Sequence, residues 1–339
     1  MVNSKPYYPE ITCLKGIAIL FVIMGHSLTP VLNLDTEISP ILRYIIVEPQ
    51  MSMFFIASGF LFSETLDWRT FFSKKFKRLM IPYVSFWCIM QFTHSVLAGF
   101  TRSGGYDIAD EIVALFTGGH YWFLYDLLLV MITTRLFRSF KGGLILLATI
   151  AVICRLSISD MPTNMWRYFL YTPFFIAGIY MRRNYSVIRK FVSEYRLPIF
   201  AVSLVGFVLA YMFEEKEMFI GRMAGVVLFV TMCYTILYDF NGGEKVFGKL
   251  GIFHFGKYSL QYYLNHIQTA MVTIAIVSHL HLDFPCSHYV EWLLISVLMT
   301  LFSYIALLVE KRFKVLRIMT GGKSSVSCPL KPSDSAPLC

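Results

Sequence analysis

The chain has 339 residues, of which 56% are hydrophobic and only 15% are charged. A soluble domain is about 45–50% apolar and about 25% charged, so an ordinary soluble protein is excluded. The mean hydropathy of +0.61 points the same way. The composition predicts an all-α, polytopic integral membrane protein. The net charge of +9 requires no nucleic-acid partner, because basic loops that face anionic lipid account for it.

Apolar runs predict about ten transmembrane helices, since a span needs about 20 residues. In chain order they cover about 11–32, 41–62, 80–100, 121–137, 143–158, 166–181, 197–213, 219–238, 258–278 and 290–309. The run at 143–158 is the weakest of these. A nine-span alternative that omits it would reverse the orientation of every later span.

The basic residues decide between these two topologies. With ten spans, all but six of the 30 Lys and Arg residues fall on one side of the membrane, together with both termini. The six on the other side are Arg43, Arg102, Arg155, Arg167, Lys216 and Arg222. Because basic loops stay in the cytoplasm, we expect ten spans with both termini cytoplasmic.

Three segments follow from this topology. Residues 1–10 form a cytoplasmic N-terminal segment, residues 11–310 a single ten-helix domain, and residues 311–339 a tail that is first basic and then disordered. Too few residues lie outside the spans for a separate soluble domain. The seven cysteines form no C-x-x-C pair and no metal-ligand spacing, so we expect neither a disulfide framework nor a metal site.

The first span carries Lys15 and His26 in an otherwise apolar helix. They are 11 residues apart, which places them on one face and about 16 Å apart along the axis. Ionisable residues inside a span usually face the bundle interior and have a function. The pattern predicts a polar route from a cytoplasmic cation to a buried imidazole. The alternative is a lysine that extends to the interface and a histidine with a structural hydrogen bond.

The second and third spans add candidates at the cytoplasmic end of this route. Lys75 and Arg78 are three residues apart and share a helix face, where they would hold an anionic ligand. Ser58 precedes Gly59, a pair typical of close helix packing in membranes. No G-x-S-x-G sequence surrounds Ser58, which makes it a weak candidate for a nucleophile. Glu48 lies within the second span and needs a partner.

Spans four and nine contain polar residues at greater depth. Trp122 occupies the outer end of span four, as interfacial aromatic residues do. Asp126 lies about one turn further in, where a carboxylate needs a basic partner. His266 lies near the middle of span nine and is a second imidazole inside the membrane. Two histidines at depth favour a functional interpretation of His26.

In order and spacing these motifs resemble the acyltransferase 3 family of membrane-bound O-acyltransferases, especially its fucose-O-acetylase-like branch. The resemblance covers about residues 7–309. It rests on Lys15-Gly16 with His26, Phe54-Phe55 with Ser58-Gly59-Phe60-Leu61, the basic cluster before Ile81-Pro82-Tyr83, Trp122-Phe123-Leu124, Phe174-Phe175-Ile176-Ala177-Gly178, and Gly256 and Ser259 with Tyr263 and His266. The chain departs from the family in two places. Lys15 stands where arginine is common, and Lys75-x-x-Arg78 replaces an Arg-x-x-Arg pair.

The resemblance implies transfer of an acyl group, usually acetyl, from a cytoplasmic donor to a hydroxyl of a cell-surface carbohydrate or lipid-linked glycan. Acyl-CoA, with acetyl-CoA first, would be the co-substrate, and no bound cofactor is expected. Its phosphates would suit Lys15, Lys75 and Arg78. The expected partners are therefore membrane lipid, acyl-CoA and the glycan. The expected location is a cell membrane, with the inner membrane of a bacterium as the first choice.

Roles for the remaining candidates follow from the same resemblance. His26 would act as general base on the acceptor hydroxyl, and an acyl-imidazole on His26 is an open alternative. Ser58, Trp122 and His266 would contact substrate. Glu48 or Asp126 would orient His26.

Two other functions share the ten spans and the buried polar residues. A transporter or flippase is the first, but such proteins often show repeated halves, and the two halves here share no motif. A catalytically inactive membrane scaffold is the second. Transfer of an acetyl group by the purified protein would distinguish the enzyme from both.

Overall fold

The computed structural model describes residues 7–28, 39–97, 108–158, 160–213, 219–238, 243–279 and 288–321. Within these ranges the regular structure is entirely helical. The helices are α1 (Pro9–His26), α2 (Pro40–Phe60), α3 (Trp68–Leu97), α4 (Ile108–Thr117), α5 (Trp122–Phe137), α6 (Gly143–Ser157), α7 (Thr163–Arg183), α8 (Tyr185–Met212), α9 (Phe219–Tyr238), α10 (Gly243–Lys249), α11 (Ile252–Lys257), α12 (Ser259–His279), α13 (His288–Arg312) and α14 (Lys314–Met319). A 3₁₀ turn, Gly119–Tyr121, connects α4 to α5.

Each predicted span overlaps one helix, in the order α1, α2, α3, α5, α6, α7, α8, α9, α12 and α13. Residues 29–32 and 98–100 of the predicted spans lie outside the described residues. Five helical stretches are long and apolar enough to cross a membrane, namely Pro9–His26, Ala109–Phe137, Tyr185–Met212, Phe219–Tyr238 and His288–Arg312. The predicted boundaries differ most at α3 and α8, which begin about twelve residues earlier than expected. Their first turns are basic and amphipathic, so hydropathy located only the apolar part of each helix.

Two prolines inside helices have different effects. Pro49 lies inside α2, which continues through it from Pro40 to Phe60. In α8 the backbone leaves helical geometry at Tyr195, with φ −111° and ψ 21°, three residues before Pro198. A proline ring clashes with the carbonyl group one turn earlier, which is the usual cause of such a kink.

Two glycine contacts bring α2 and α7 unusually close together. A Cβ atom at Gly59 of α2 would collide with the Phe175 carbonyl group of α7, and one at Gly178 of α7 would collide with the Ile56 carbonyl group of α2. The expectation that Gly59 permits close packing agrees with this geometry. Because lipid provides no hydrophobic force between helices, such backbone approach is a main source of association in membranes.

A polar seam joins α13 to its neighbours. Three buried residues of α13 recur at intervals of seven, Ser296, Ser303 and Glu310. Their side chains bond in turn to Ser27, to Thr269 of α12 and to Asn265 of α12, at 2.8, 3.1 and 2.7 Å. Hydrogen bonds of this kind between helices satisfy polar groups that lipid leaves without partners.

Candidate active site

A cavity lined by three cations opens where α1, α2, α3, α5 and α12 meet, with about 140 Å³ of water-accessible volume. Lys15 of α1 lines it together with Lys75 and Arg78 of α3, and Ser58 of α2 lies on its wall. Its other lining residues are Phe54, Leu61, Leu79, Phe123, Leu127, Met131, Ser259, Leu260 and Tyr263. The structure thus brings four of the candidate residues into one place, which we name the basic cavity.

The electrostatics of the basic cavity favour an anion. Lys15 and Arg78 lie close enough for their like charges to interact, and within the described residues neither forms an ion pair. The ammonium group of Lys75 lies 5.8 Å from the centre of the Phe62 ring. Cations gathered beside apolar walls focus their field into the cavity, so a polyanionic ligand would bind there.

The position of Lys15 depends on the glycine that follows it. A Cβ atom at Gly16 would collide with the carbonyl oxygen of Ile252, and one at Gly256 of α11 would collide with the carbonyl oxygen of Thr12. The backbones of α1 and α11 are therefore in contact. This contact fixes the position of α1 along its axis relative to α11. It therefore also fixes where the side chain of Lys15 enters the basic cavity.

His26 lies at the other end of α1, against His266 of α12. The two imidazole ring centres are 4.5 Å apart and the rings meet edge to face at 82°. His266 is buried, with 1% of its surface exposed, whereas His26 is exposed. The structure therefore pairs the two imidazoles that were predicted at depth, but His26, which was predicted to be buried, has exposed surface, whereas His266 does not.

Hydrogen bonds to the backbone fix the tautomer of both rings. Nδ1 of His26 lies 2.9 Å from the carbonyl oxygen of Val22, and Nδ1 of His266 bonds to the carbonyl oxygen of Tyr263. A carbonyl oxygen only accepts, so each Nδ1 must carry the hydrogen. Nε2 of each neutral ring then keeps its lone pair, which is the arrangement that a general base requires.

Aromatic rings connect the histidine pair to the basic cavity. Tyr263 lines the cavity, and its ring centre lies 5.1 Å from that of His266. Phe123 also lines the cavity and lies 5.3 Å from Tyr263, centre to centre. The cationic and imidazole groups are therefore linked by α1 on one side and by these packed rings on the other.

The two candidate carboxylates pair with arginines. Glu48 of α2 lies 2.7 Å from the guanidinium of Arg222 in α9, and Asp126 of α5 lies 3.2 Å from the guanidinium of Arg167 in α7. Their expected role was to orient His26. In the described part of the chain, the ring of His26 is instead held by the Val22 carbonyl group of its own helix.

Trp122 lies between the two ion pairs. Its ring stacks on Tyr171 at 5.5 Å and 22°, and the guanidinium of Arg167 lies 4.8 Å from its centre. The hydroxyl of Tyr171 in turn accepts a hydrogen bond from Arg222 at 2.9 Å. Trp122 is only half-buried, so part of its ring remains available to a ligand.

Sequence reasoning did not assign a role in the site to His120 or Tyr263. His120 is exposed and lies near enough to interact electrostatically with both His26 and His266. It follows Gly118 and Gly119, whose φ angles of 97° and 42° form the turn between α4 and α5. A glycine pair before a histidine was the available signal, because it marks a turn. Tyr263 belongs to one of the motifs that carry the family resemblance, but that motif did not assign it a role in the site.

Together, the fold and the site define a helical protein with helices long and apolar enough to cross a membrane, in which a basic cavity and a pair of imidazoles are linked by packed aromatic rings. The acyltransferase 3 family, described as an acyltransferase domain, matches residues 8–308. The chain belongs to this family, which confirms the resemblance that the sequence motifs indicated.

A curated relative adds a more distant comparison. Over 177 residues the chain is 33% identical to Nodulation protein NolL of Sinorhizobium fredii (strain NBRC 101917 / NGR234). The matched region covers 48% of this chain and 46% of the relative, so the chain spans about half the length of that protein. No solved structure matches the chain.

Proposed function

We propose that the protein is a membrane O-acyltransferase that moves an acyl group, acetyl in the first instance, from acyl-CoA to a hydroxyl of a carbohydrate or lipid-linked glycan. One observation carries the proposal: the histidine pair packs against Tyr263, which lines a cavity with three cations, and among the described residues neither Nε2 has a hydrogen-bond partner. Family membership supports acyl transfer as the reaction.

The donor would enter through the basic cavity. Lys15, Lys75 and Arg78 line it, and the phosphates of acyl-CoA are the anions that such cations bind through charge-assisted hydrogen bonds. Ser58 would contact the donor or the incoming hydroxyl at the wall of the cavity. Acyl-CoA is thus a co-substrate in this proposal rather than a bound cofactor.

His26 would supply the base for the transfer step. The acceptor hydroxyl attacks the thioester carbonyl carbon while Nε2 of His26 takes its proton. The carbon–sulfur bond then breaks, and the leaving thiolate takes the proton back from Nε2, so that an ester and the free thiol of CoA result. In the alternative, Nε2 of His26 attacks the thioester carbonyl carbon first, and the CoA thiolate leaves. The acceptor hydroxyl then takes the acyl group from the imidazole.

His266 and Trp122 would line the acceptor side. Edge contact with His266 holds the His26 ring, and the half-buried face of Trp122 offers an apolar surface to a sugar. Glu48 and Asp126 would contribute to the acceptor side through their ion pairs with Arg222 and Arg167.

The topology proposed with this function has ten spans within residues 11–310 and places both termini in the cytoplasm. Residues 1–10 and 311–339 would be the terminal segments on that side, and the protein would reside in a cell membrane. The basic cavity would then face the compartment that holds acyl-CoA. This arrangement is supported by the charge asymmetry of the loops.

His26→Ala provides the direct test. We expect the purified variant to lose acetyl transfer from acetyl-CoA to the glycan by roughly 10²–10⁴-fold, which is the usual contribution of a general base. Membrane insertion and abundance should stay at wild-type levels. The readout is the mass increment that one acetyl group adds to the glycan acceptor.

His288→Ala is the matched control, because His288 is exposed and, among the described residues, pairs only with Glu291 on its own helix. It should retain full activity. Full acetylation by His26→Ala would contradict the proposal. Movement of glycan across the membrane by a protein that transfers no acetyl group would favour the transporter instead.

A further inference from the structure

The C-terminal helix α14 folds back onto α3 beside the basic cavity. Its contact is made by Gly321, where a Cβ atom would lie 2.9 Å from the carbonyl oxygen of Arg78 and 3.2 Å from Cγ of Pro82. Thr320, next to it, is only 3% exposed. Residues that the sequence placed in a basic tail therefore lie against the same turn of α3 that supplies Arg78 to the cavity. Residues 322–339 are outside the described part of the chain.

The backbone of this contact requires glycine. Gly321 has φ +71° and its N–H donates to the carbonyl group of Ile318 at 3.0 Å, which closes the last turn of α14. This is the left-handed residue that commonly follows a helix, and glycine adopts it without a Cβ penalty. A side chain at position 321 would meet both the strained φ and the Arg78 carbonyl group.

The segment that is docked here carries a dense positive charge. Lys311, Arg312, Lys314 and Arg317 are four cations within seven positions. Arg317 lies one helical turn before Gly321 and is half-buried, and its Nε is buried with no hydrogen-bond partner among the described residues. A buried N–H group without a hydrogen-bond acceptor costs free energy. The guanidinium group therefore favours an anionic ligand that supplies the acceptor.

We propose that α14 completes the donor site, with Arg317 and Lys314 binding the 3′-phosphate of the CoA nucleotide while Lys15, Lys75 and Arg78 in the basic cavity bind its pyrophosphate. This assignment rests on the proposed function, because it names a further part of the same donor site. α3 contributes Lys75 and Arg78 from within the bundle, and α14, which contacts the Arg78 carbonyl group at Gly321, would add Arg317 and Lys314 to them. Guanidinium groups suit phosphate through paired N–H donors.

Two donors separate this role from general electrostatics. Acetyl-CoA carries the nucleotide phosphates, whereas S-acetylpantetheine keeps the thioester arm and lacks them. Arg317→Ala should raise KM for acetyl-CoA about tenfold, which corresponds to about 1.4 kcal/mol, and leave KM for S-acetylpantetheine unchanged. Gly321→Ala should do the same without removing any charge, because it displaces α14 from Arg78.

Matched controls are Lys249→Ala and Gly248→Ala, both on α10. Lys249 is exposed, and no atom lies within 4 Å of a Cβ built at Gly248. The first removes one positive charge and the second adds one methyl group, so both should leave KM for either donor at the wild-type value. An equal effect of Arg317→Ala on the two donors, or no effect on either, would overturn the assignment.

Binding of CoA to the full-length protein in detergent is measured by calorimetry, in parallel with turnover. If the wild type binds CoA and transfers no acetyl group, the proposed reaction is wrong, and the loss of CoA affinity in Arg317→Ala still decides the role of α14. If CoA does not bind at all, the proposed reaction and the proposed role of α14 are both wrong. If Arg317→Ala keeps its CoA affinity and instead loses stability only in phosphatidylglycerol vesicles and not in phosphatidylcholine, the phosphate belongs to lipid and the assignment is wrong.

Discussion

At the scale of single residues, the buried arginines explain why two carboxylates are tolerated inside the bundle. The guanidinium of Arg222 contacts Glu48 and the hydroxyl of Tyr171, so its charge is both neutralised and hydrogen-bonded. The sequence showed that Glu48 needed a partner. It did not show which partner, since Arg222 lies 174 positions away and their helices become neighbours only when the bundle assembles.

Removing one member of this pair should be far more harmful than removing both. Glu48→Gln leaves Arg222 buried beside a neutral group, and breaking a buried pair costs about 3–5 kcal/mol. We expect a corresponding fall in the thermal unfolding temperature of the protein in detergent. The double variant Glu48→Leu/Arg222→Leu should recover most of this loss.

The control for this prediction is Glu64→Gln. Glu64 pairs with Arg183 at a more exposed position, where the arginine side chain is 42% exposed, and such surface pairs contribute about 0–1 kcal/mol. Equal destabilisation by Glu48→Gln and Glu64→Gln would show that the Arg222 pair is not buried as the structure has it.

At the scale of helices, glycine contacts determine which elements are adjacent. The α2–α7 contact at Gly59 and Gly178 places Ser58 at the basic cavity, and the α1–α11 contact at Gly16 and Gly256 places Lys15 there. The sequence predicted close approach at Gly59. It did not identify α7 as the partner, because a small residue indicates that another helix packs closely there but not which helix it is.

Gly59→Ala should therefore destabilise the protein even though alanine favours helix. The added methyl group meets the Phe175 carbonyl group, and neither backbone can move away without opening the cavity wall. We expect a lower unfolding temperature and a loss of activity. Inserting atoms into a packed contact typically costs about 1–3 kcal/mol.

Gly206→Ala in α8 is the matched substitution, since its Cβ would meet only the Cβ of Ala224 at 3.6 Å. Alanine is about 1 kcal/mol better than glycine inside a helix, so this variant should be unchanged or more stable. Similar behaviour of the two variants would argue against a close α2–α7 contact.

At the scale of the whole molecule, the helix order was predictable and the site was predictable only in part. Hydropathy placed ten helices in sequence, including the short α6. The shared face of Lys15 and His26 followed from helix periodicity alone. The meeting of His26 with His266 and the gathering of cations in one cavity depend on tertiary packing, for which the sequence contains no local signal.

Single-cysteine labelling tests the ten-span topology where it is weakest. In a cysteine-free background, Asp160→Cys after α6 should react with an impermeant maleimide in intact cells. Lys141→Cys before α6 should react only after permeabilisation. Labelling of both residues from the same side would remove α6 as a span and support the nine-span alternative.

Because α1 is one continuous helix, it also sets a fixed distance between Lys15 and His26. Lys15 and His26 are held about 16 Å apart by its rise, and no flexible joint within α1 can shorten that distance. A donor anchored by phosphate at Lys15 reaches His26 only if a linker of about that length separates its phosphate from its reactive carbonyl group. Small activated acyl compounds such as acetyl phosphate, in which the two groups are adjacent, cannot engage both ends at once. The helix would thus select donors by length before any contact with the acyl chain is made.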